Sequence, residues 1–221
     1  MYRSTVQSTL VDGLNGMFAS VPMLEYPAKV HLFAQDEVPE CVYFIVSGIV
    51  KLSCLEPIGK EVIVALRYSG WPLGATAVIL DKPSPTRATT LIACRLKQIS
   101  KREFIDRLKT QEHFPRHLHE VQAKEVLDHL ENLVEVATRP TQYRLVRLLY
   151  EIAQEIHSQQ PPEHRSLQVP LKQREIAQLL TITPEHTSRV LRRLKLDGLI
   201  KQEDRLLSVP NLKALRSFID P

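Results

Sequence analysis

The sequence predicts an α+β chain in three parts. These are an N-terminal antiparallel β-roll, a long central helix, and a C-terminal block of helix, turn, helix, two strands and a helix. Three observations carry that expectation. Residues 22 to 100 hold β-branched and aromatic runs of strand length, punctuated by Gly and Pro turns. Residues 116 to 138 hold neither Gly nor Pro and repeat apolar side chains at helical spacing. The charge balance then shifts: residues 1 to 139 carry 16 basic and 16 acidic side chains, whereas residues 140 to 221 carry 13 and 9, so the net charge of +4 sits entirely in the C-terminal part.

The first part divides into six runs: Val30 to Phe33, Val42 to Gly48, Ile49 to Leu55, Glu61 to Arg67, Thr89 to Cys94 and Arg95 to Ile99. Turn chemistry separates them at Asp36, Pro39, Gly48, Pro57-Ile58-Gly59, Ser69-Gly70-Trp71-Pro72 and Lys82-Pro83-Ser84-Pro85. A spacing of about ten residues between such runs is that of a sandwich or roll. Only 7 glycines occur in the chain, yet Gly48, Gly59, Gly70 and Gly74 all fall here, as positions where the backbone needs freedom.

From Lys101 the period becomes helical. Lys101 to Gln111 places Phe104, Ile105 and Leu108 on one face. After Pro115 a helix of about six turns runs from Arg116 to Thr138. Within it Val126, Leu130, Leu133 and Ala137 step by four, three and four, a heptad seam. A second copy of the same helix would bury that stripe and give a homodimer with a self-complementary contact; the alternative is that the stripe packs on the roll alone. Arg139-Pro140 ends the helix, Thr141 to His157 forms the next, and a polar loop over residues 158 to 165 precedes the last block. The expected division is a roll over residues 1–115, a dimerisation helix over 116–139 and a C-terminal helical block over 140–221.

Several classes fall away. A composition of 43% apolar and 24% charged residues over 221 is that of a folded chain, not a disordered or collagen-like one. The longest charge-free stretch, Tyr68 to Leu80, is too short to span a bilayer. The first sixteen residues carry one Arg and an apolar stretch broken by Asp12, unlike a secretory leader, so no membrane partner and a cytoplasmic location are expected. Cys41, Cys54 and Cys94 are odd in number and have no metal-ligand spacing; buried structural thiols are the plain reading, and no metal site is assigned. None of the motifs GxSxG, HExxH, GxxxxGK or GxGxxG occurs, so an enzyme is not expected.

The segment LKQREIAQLLTITPEHTSRVLRRL, Leu171 to Leu194, carries the strongest signal. Ile176, Ala177 and Leu180 face inward from a first helix. Thr183 is a good N-cap and Pro184 suits the first helical position, so a second helix starts there. Thr187, Val190, Leu191 and Leu194 share one face of it, and Glu185, Ser188, Arg189 and Arg192 share the other. Such a polar edge, presented to the major groove of double-stranded DNA, can read bases: Arg189 forks onto guanine, Glu185 accepts from cytosine and Ser188 reaches either edge. Glu185 and Arg189, one turn apart, are also placed to orient each other. Arg193, Lys195, Lys172 and Arg205, the last near the tip of a hairpin spanning Lys201 to Val209, are the expected phosphate contacts. The competing reading is a solvated basic face with no partner.

In this arrangement the whole chain resembles the Crp/Fnr superfamily of bacterial transcription regulators: a cyclic-nucleotide-binding-like roll, a dimer helix and a winged helix–turn–helix. The runs Val42 to Leu52, Pro57 to Val64 and Ser69 to Ala75 look like the family's strand and turn blocks, and Glu185-His-Thr-Ser188-Arg189 matches the Fnr-type pattern Glu-x-x-Ser-Arg. The resemblance implies a palindromic operator with TTGAT-like half-sites and, as a further partner, RNA polymerase. Lys172 departs from it, since relatives often cap the first helix with Ser or Thr. The family's phosphate cassette is represented by Gly74 and by Arg87-Ala88-Thr89, but Ala75 stands where the ribose-binding Glu belongs. An unpaired ribose hydroxyl costs about 1 to 3 kcal/mol, so cyclic AMP is not the expected effector. Another small ligand in this cassette and an empty cassette both remain open, and Arg87 either holds an anion or pairs with an acidic neighbour. Residues 1 to 40 hold no Cys, so the iron–sulfur cluster of Fnr itself is not expected. Haem or redox sensing stays open; His113 and His117 would lie one turn apart only if a helix ran through Pro115.

Overall fold

The run Val42 to Ile45 is apolar at every position because both faces of its strand are covered. In the structure, a computed structural model that describes residues 18–159, 167–203 and 206–220, this run lies in β3 (Cys41–Ser47). Val42 and Phe44 point into one buried cluster, Tyr43 and Ile45 into another. A strand buried on both sides loses the polar alternation of a surface strand.

Two compact units divide the chain: residues 1–61 with 65–129, and residues 62–64 with 130–221. The first contains most of the roll. One sheet has the order β1 (Met23–Tyr26), β8 (Cys94–Ser100), β3, β6 (Pro72–Leu73); the other runs β2 (His31–Phe33), β7 (Arg87–Thr90), β4 (Val50–Leu55), β5 (Glu61–Arg67). Leu32, Val50 and Ala88 of the second sheet meet Tyr43, Ile45 and Leu96 of the first in an apolar layer. Buried there, the Tyr43 hydroxyl donates to Leu32 O at 3.1 Å, and burial, helped by the charge of Cys41, pushes its pKa up to about 12. On the other face of the first sheet, Val42, Phe44 and Ile99 pack with Phe104 of α2 (Lys101–Thr110) and with Phe114, Leu118 and Val121 of α3 (Phe114–Thr138).

Gly48 shows why the β3–β4 turn admits no side chain. Its φ is 117°, and an added Cβ would lie 2.4 Å from Cys94 Sγ.

Four expectations for this unit need correction. β1 was not anticipated, because a four-residue edge strand with three exposed side chains has no inward-facing pattern. Ala75–Leu80, an apolar run between two turns, forms a short helix, α1. The strand expected over Thr89 to Cys94 is instead Arg87–Thr90, and Cys94 opens β8. Finally, α3 begins at Phe114, so Pro115 stands in its first turn, where a missing N–H leaves no intrahelical bond broken.

The second unit holds α4 (Thr141–Gln159), β9 (Leu167–Val169), α5 (Gln173–Leu179), α6 (Pro184–Leu196), β10 (Lys201–Glu203), β11 (Leu206–Val209) and α7 (Leu212–Ile219). Its sheet has three strands, in the order β10-β11-β9, not the two expected; β9 is only three residues long. Leu145, Leu149, Ile152 and Ile156 of α4 are buried, as the helical period required. At the joint after Pro140, Arg139 lies over the Tyr143 ring at 5.0 Å, and Arg147 pairs with both Glu135 and Glu151. Among the described residues no helix is long and apolar enough to cross a membrane.

Candidate nucleic-acid interface and sensor site

The reading edge is built by its caps. Lys172 is the N-cap of α5 and has no acceptor in its side chain; the free backbone N–H of Lys172 donates instead to Glu175 Oε2 at 2.7 Å. Glu175 therefore supplies half of a capping box, which makes good the missing Ser or Thr. In the turn that follows, Thr181 sits at φ 55°, a left-handed conformation costly for a β-branched residue. Gln173 Nε2 donates to Pro184 O at 3.1 Å, tying the two helix starts together. Thr183 Oγ1 accepts from His186 N at 3.2 Å, and Thr187 Oγ1 donates back to Thr183 O at 3.0 Å.

Starting α6 at Pro184 fixes its rotation. Thr187, Leu191 and Leu194 are buried, whereas Glu185, Ser188, Arg189 and Arg192 are exposed. The side chains of Glu185, Arg189 and Arg192 have no hydrogen bond or ion pair among the described residues, so the expected pairing of Glu185 with Arg189 is not formed. Arg193 and Lys195 do have partners: Arg193 Nε lies 3.3 Å from Asp197 Oδ1, and Lys195 Nζ donates to Gln202 Oε1 of β10. Lys172 is exposed. Arg205 lies outside the described residues.

Along α3 the first turns are buried through Leu118 and Val121, and the rest is not. Val126 is 60% exposed, Leu130 54% and Leu133 67%, with Ala137 exposed in line with them. An apolar stripe of this length on the surface marks an interaction face.

The cassette residues fall into two places. Gly74, at φ 80°, is the N-cap of α1, and an added Cβ would stand 3.2 Å from Cys41 O. Ala75 is buried in the cluster under the first sheet. Ala88 is buried between the sheets, and Thr89 Oγ1 shares a 2.9 Å hydrogen bond with His31 Nδ1. Arg87 turns elsewhere, to Ser53 and Glu61. Its Nε donates to Ser53 Oγ at 3.4 Å, Ser53 Oγ donates to Glu61 Oε1 at 2.8 Å, and Arg87 Nη2 and Lys51 Nζ lie 3.7 and 3.1 Å from that same oxygen. Burial pushes the Glu61 carboxyl up, but hydrogen bonds from Ser53 and Lys51 and the charges of Lys51 and Arg87 outweigh it and hold the group below its ordinary value. Arg87 thus pairs with an acidic neighbour, Glu61.

Glu61, Ser53 and Lys51 were not singled out from the sequence. Lys51 and Ser53 are two apart on one strand and so share a face, but nothing local connects them to Glu61 or Arg87. Arg87 also lines a groove of about 470 Å³ with His31, Phe33, Gln35, Asp36 and Leu55. The three cysteines are free thiols. His117 stands in the first turn of α3, 3.5 Å from Glu120, and its backbone N–H donates at 3.3 Å to the carbonyl of His113 just before the helix; among the described residues no group of three or more His, Cys, Asp and Glu side chains is placed to hold a metal ion.

A β-roll with a cassette turn, joined in one chain to a capped helix–turn–helix and a hairpin, defines a regulator of the cyclic-nucleotide-domain type. Residues 23–111 match the model of the cyclic nucleotide-binding domain and residues 143–218 that of the Crp-like helix-turn-helix domain. The chain belongs to the Crp/Fnr superfamily of transcription regulators. It is similar to the CRP-like protein Clp of Xanthomonas campestris pv. campestris, with 26% identity over 183 residues, covering 79% of this chain and 78% of that protein. Solved structures of the same fold include the c-di-GMP responsive regulator CLP of Xanthomonas campestris (TM-score 0.66, 21% identity, 90% of this chain and 99% of that one). FixK2 from Bradyrhizobium japonicum is another (TM-score 0.67, 20% identity, 89% and 96%). A Crp/Fnr-family regulator from Thermus thermophilus has a TM-score of 0.71 at 15% identity, with 90% and 99% covered. The Xanthomonas campestris structure is described as a global regulator and the Thermus thermophilus one as a transcriptional regulator.

Proposed function

We propose that the chain acts in the cytoplasm as a homodimeric, sequence-specific DNA-binding regulator that reads a palindromic operator with TTGAT-like half-sites. One observation carries this reading: Glu185, Ser188, Arg189 and Arg192 are exposed on one edge of α6, and the charged members among them have no partner among the described residues. Arg189 and Glu185 share a G·C pair, Ser188 and Arg192 extend the contact, and Lys172, Arg193, Lys195 and Arg205 hold phosphates. The occupant of the exposed Val126, Leu130, Leu133 and Ala137 stripe is a second copy of the chain, because a heptad seam is complementary to itself and a two-fold dimer matches a palindrome. The three parts assigned to this work are the roll over 1–115, the dimer helix over 116–139 and the reader over 140–221, with RNA polymerase as the partner that converts binding into regulation.

In this reading a small ligand in the roll other than cyclic AMP gates binding. The similarity to a c-di-GMP responsive regulator makes that dinucleotide one ligand to try. A second reading, a regulator that binds DNA with no effector, is favoured by a specific observation: Arg87 is already paired with Glu61 and the space between the sheets is filled by apolar side chains. Selection of genomic fragments by the purified chain tests both readings. Recovery of a TTGAT-type palindrome supports the operator assignment, and recovery of fragments without two-fold symmetry overturns it. Full affinity of the ligand-free chain, unchanged by added cyclic nucleotides or c-di-GMP, decides for the second reading.

A further inference from the structure

The turn that aims the reading edge is held from outside its own pair of helices. Leu180 is the C-cap of α5, and its carbonyl oxygen accepts from Arg144 Nη1 of α4 at 3.0 Å. That end of α5 is the negative pole of its dipole, where a guanidinium is favoured. The next two amides close the turn on α5 itself: Thr181 N donates to Gln178 O and Ile182 N to Ala177 O, both at 3.0 Å. At the far end of α6, Gln142 Nε2 donates to Oδ2 of the C-cap Asp197 at 3.4 Å. The first turn of α4 therefore touches the ends of both α5 and α6. It is also the turn that follows the joint with α3, since Arg144 N donates to Pro140 O at 3.2 Å, and Arg147 pairs with Glu135 across that joint. Arg144 has one donor left over: its Nε is buried and has no hydrogen-bond partner among the described residues. A buried polar atom without a partner costs stability of the same order as a hydrogen bond from a charged donor returns. The side chain thus adds little net stability to the reader, and what it contributes is geometry.

We propose that Arg144 is a positioning residue that sets the half-site spacing the chain accepts. The exposed Leu130, Leu133 and Ala137 precede the joint by two turns of α3, α4 follows it, and Arg144 fastens the turn before α6 to the start of α4. In a two-fold dimer the separation of the two reading edges is fixed by this run of contacts, so specificity comes from spacing as well as from bases. One base pair added between half-sites moves one of them by about 3.4 Å and about a tenth of a turn; a pair of edges held in place does not follow. The inference rests on the reading of the chain as a dimeric reader of a palindrome, and it names the residue that gives the palindrome its spacing.

Anisotropy titration of the full chain tests this on the palindrome recovered by fragment selection, on versions with one base pair added to or removed from its centre, and on a single half-site. Arg144→Met, an apolar side chain without donors, is expected to keep the wild-type melting temperature and single half-site affinity. Its discrimination against the altered spacings is expected to fall about tenfold, what one hydrogen bond from a charged donor is worth. Arg144→Lys, which returns a charged donor, is expected to recover most of that discrimination. Unchanged discrimination in Arg144→Met overturns the proposal. So does a lower melting temperature with all spacings weakened alike, which marks a merely structural role. Should Arg144→Met lack a cooperative melt, the wild type carries the test: its Arg144 Nε–H is expected to exchange with solvent at least tenfold more slowly than those of the exposed Arg189 and Arg192, and equal rates overturn the tie. Recovery of fragments without two-fold symmetry is a failure of the dimeric reading, and Arg144 is then judged without DNA. Amide exchange at Thr181 and Ile182 is expected to be about tenfold faster in Arg144→Met, with Leu149 and Ile152 of α4 unchanged; equal rates at the turn in the two proteins overturn the proposal.

Discussion

The reader and the roll use their charges in opposite ways. On α6, Glu185, Arg189 and Arg192 are exposed and unpaired among the described residues, whereas in the roll Arg87 and Lys51 converge on Glu61, and Arg67, lying over Trp71, pairs with Glu125 at 2.6 Å. The balanced count of 16 and 16 in the first 139 residues and the excess of 13 over 9 afterwards are the sequence-level trace of this difference. A guanidinium already satisfied within its own chain has given up part of its capacity for a partner; one left in water keeps it. The contrast explains why the chain is legible as a reader of DNA and far less so as a sensor of anything.

The largest expected effect tests what joins two readers. Leu133→Asp places a charge in the seam and removes one apolar side chain per protomer. At about 1.5 to 3 kcal/mol per buried leucine, two such losses weaken the dimer by about 3 to 6 kcal/mol. Sedimentation of the purified variant is expected to give a monomer; a dimer of unchanged stability removes the seam from the interface. Next comes the unpaired edge itself. Arg189→Ala is expected to weaken binding to the selected palindrome by about 1 to 3 kcal/mol and leave random DNA nearly unaffected, whereas Arg193→Ala and Lys195→Ala weaken all sequences alike and reduce the salt slope. Fluorescence anisotropy over a salt series separates the two behaviours, and equal losses on specific and random DNA for Arg189→Ala refute the reading edge.

A smaller effect concerns the turn that aims the edge. Thr181 is held at φ 55°, where a residue with a Cβ pays about 1 to 2 kcal/mol that glycine does not. Glycine also loses more chain entropy on folding, about 0.5 to 1 kcal/mol. Thr181→Gly is therefore expected to raise the stability of the reader by a net of about 0.5 to 1 kcal/mol, measured as a higher melting temperature with DNA affinity retained. The smallest effect belongs to the paired side of the comparison. The Glu61 carboxyl is held below its ordinary value of 4.5. Its contribution to stability is therefore present above about 4.5, the value in the unfolded chain, and is lost as the pH falls through the lower folded value. The stability gap between wild type and Glu61→Gln in urea is expected to be flat near neutrality and to close in acid; a gap that widens in acid contradicts the ion cluster.

These contrasts also explain what could be read in advance. The start of α6 and its two faces depend on Thr183, Pro184 and the residues within the next four turns, so they were written locally. The pairing of Arg87 with Glu61 and Ser53 joins three strands; Ser53 and Glu61 flank one turn, eight residues apart, but Arg87 lies 34 residues beyond Ser53, and no periodicity within one strand encodes that contact. Lys172 looked like a defect at its own position, and its remedy, Glu175, lies three residues on. Pro115 looked like a break because the start of the helix was placed one residue after it. β1 left no pattern because it buries so little.

Pairing across the chain also sets a timetable. β3 meets β8 with Cys41 opposite Ser100 and Val42 opposite Ile99, so the densest strand of the roll waits for a partner more than fifty residues further on. The helices of the reader form from neighbours, and high contact order slows folding by decades relative to local structure. The chain has a single tryptophan, Trp71, and it packs within the roll. In a refolding experiment its fluorescence is expected to lag behind the far-ultraviolet helix signal, and coincident phases would show that the two units gain structure together. The covered strand that makes the roll dense makes it the slow half of the molecule to assemble.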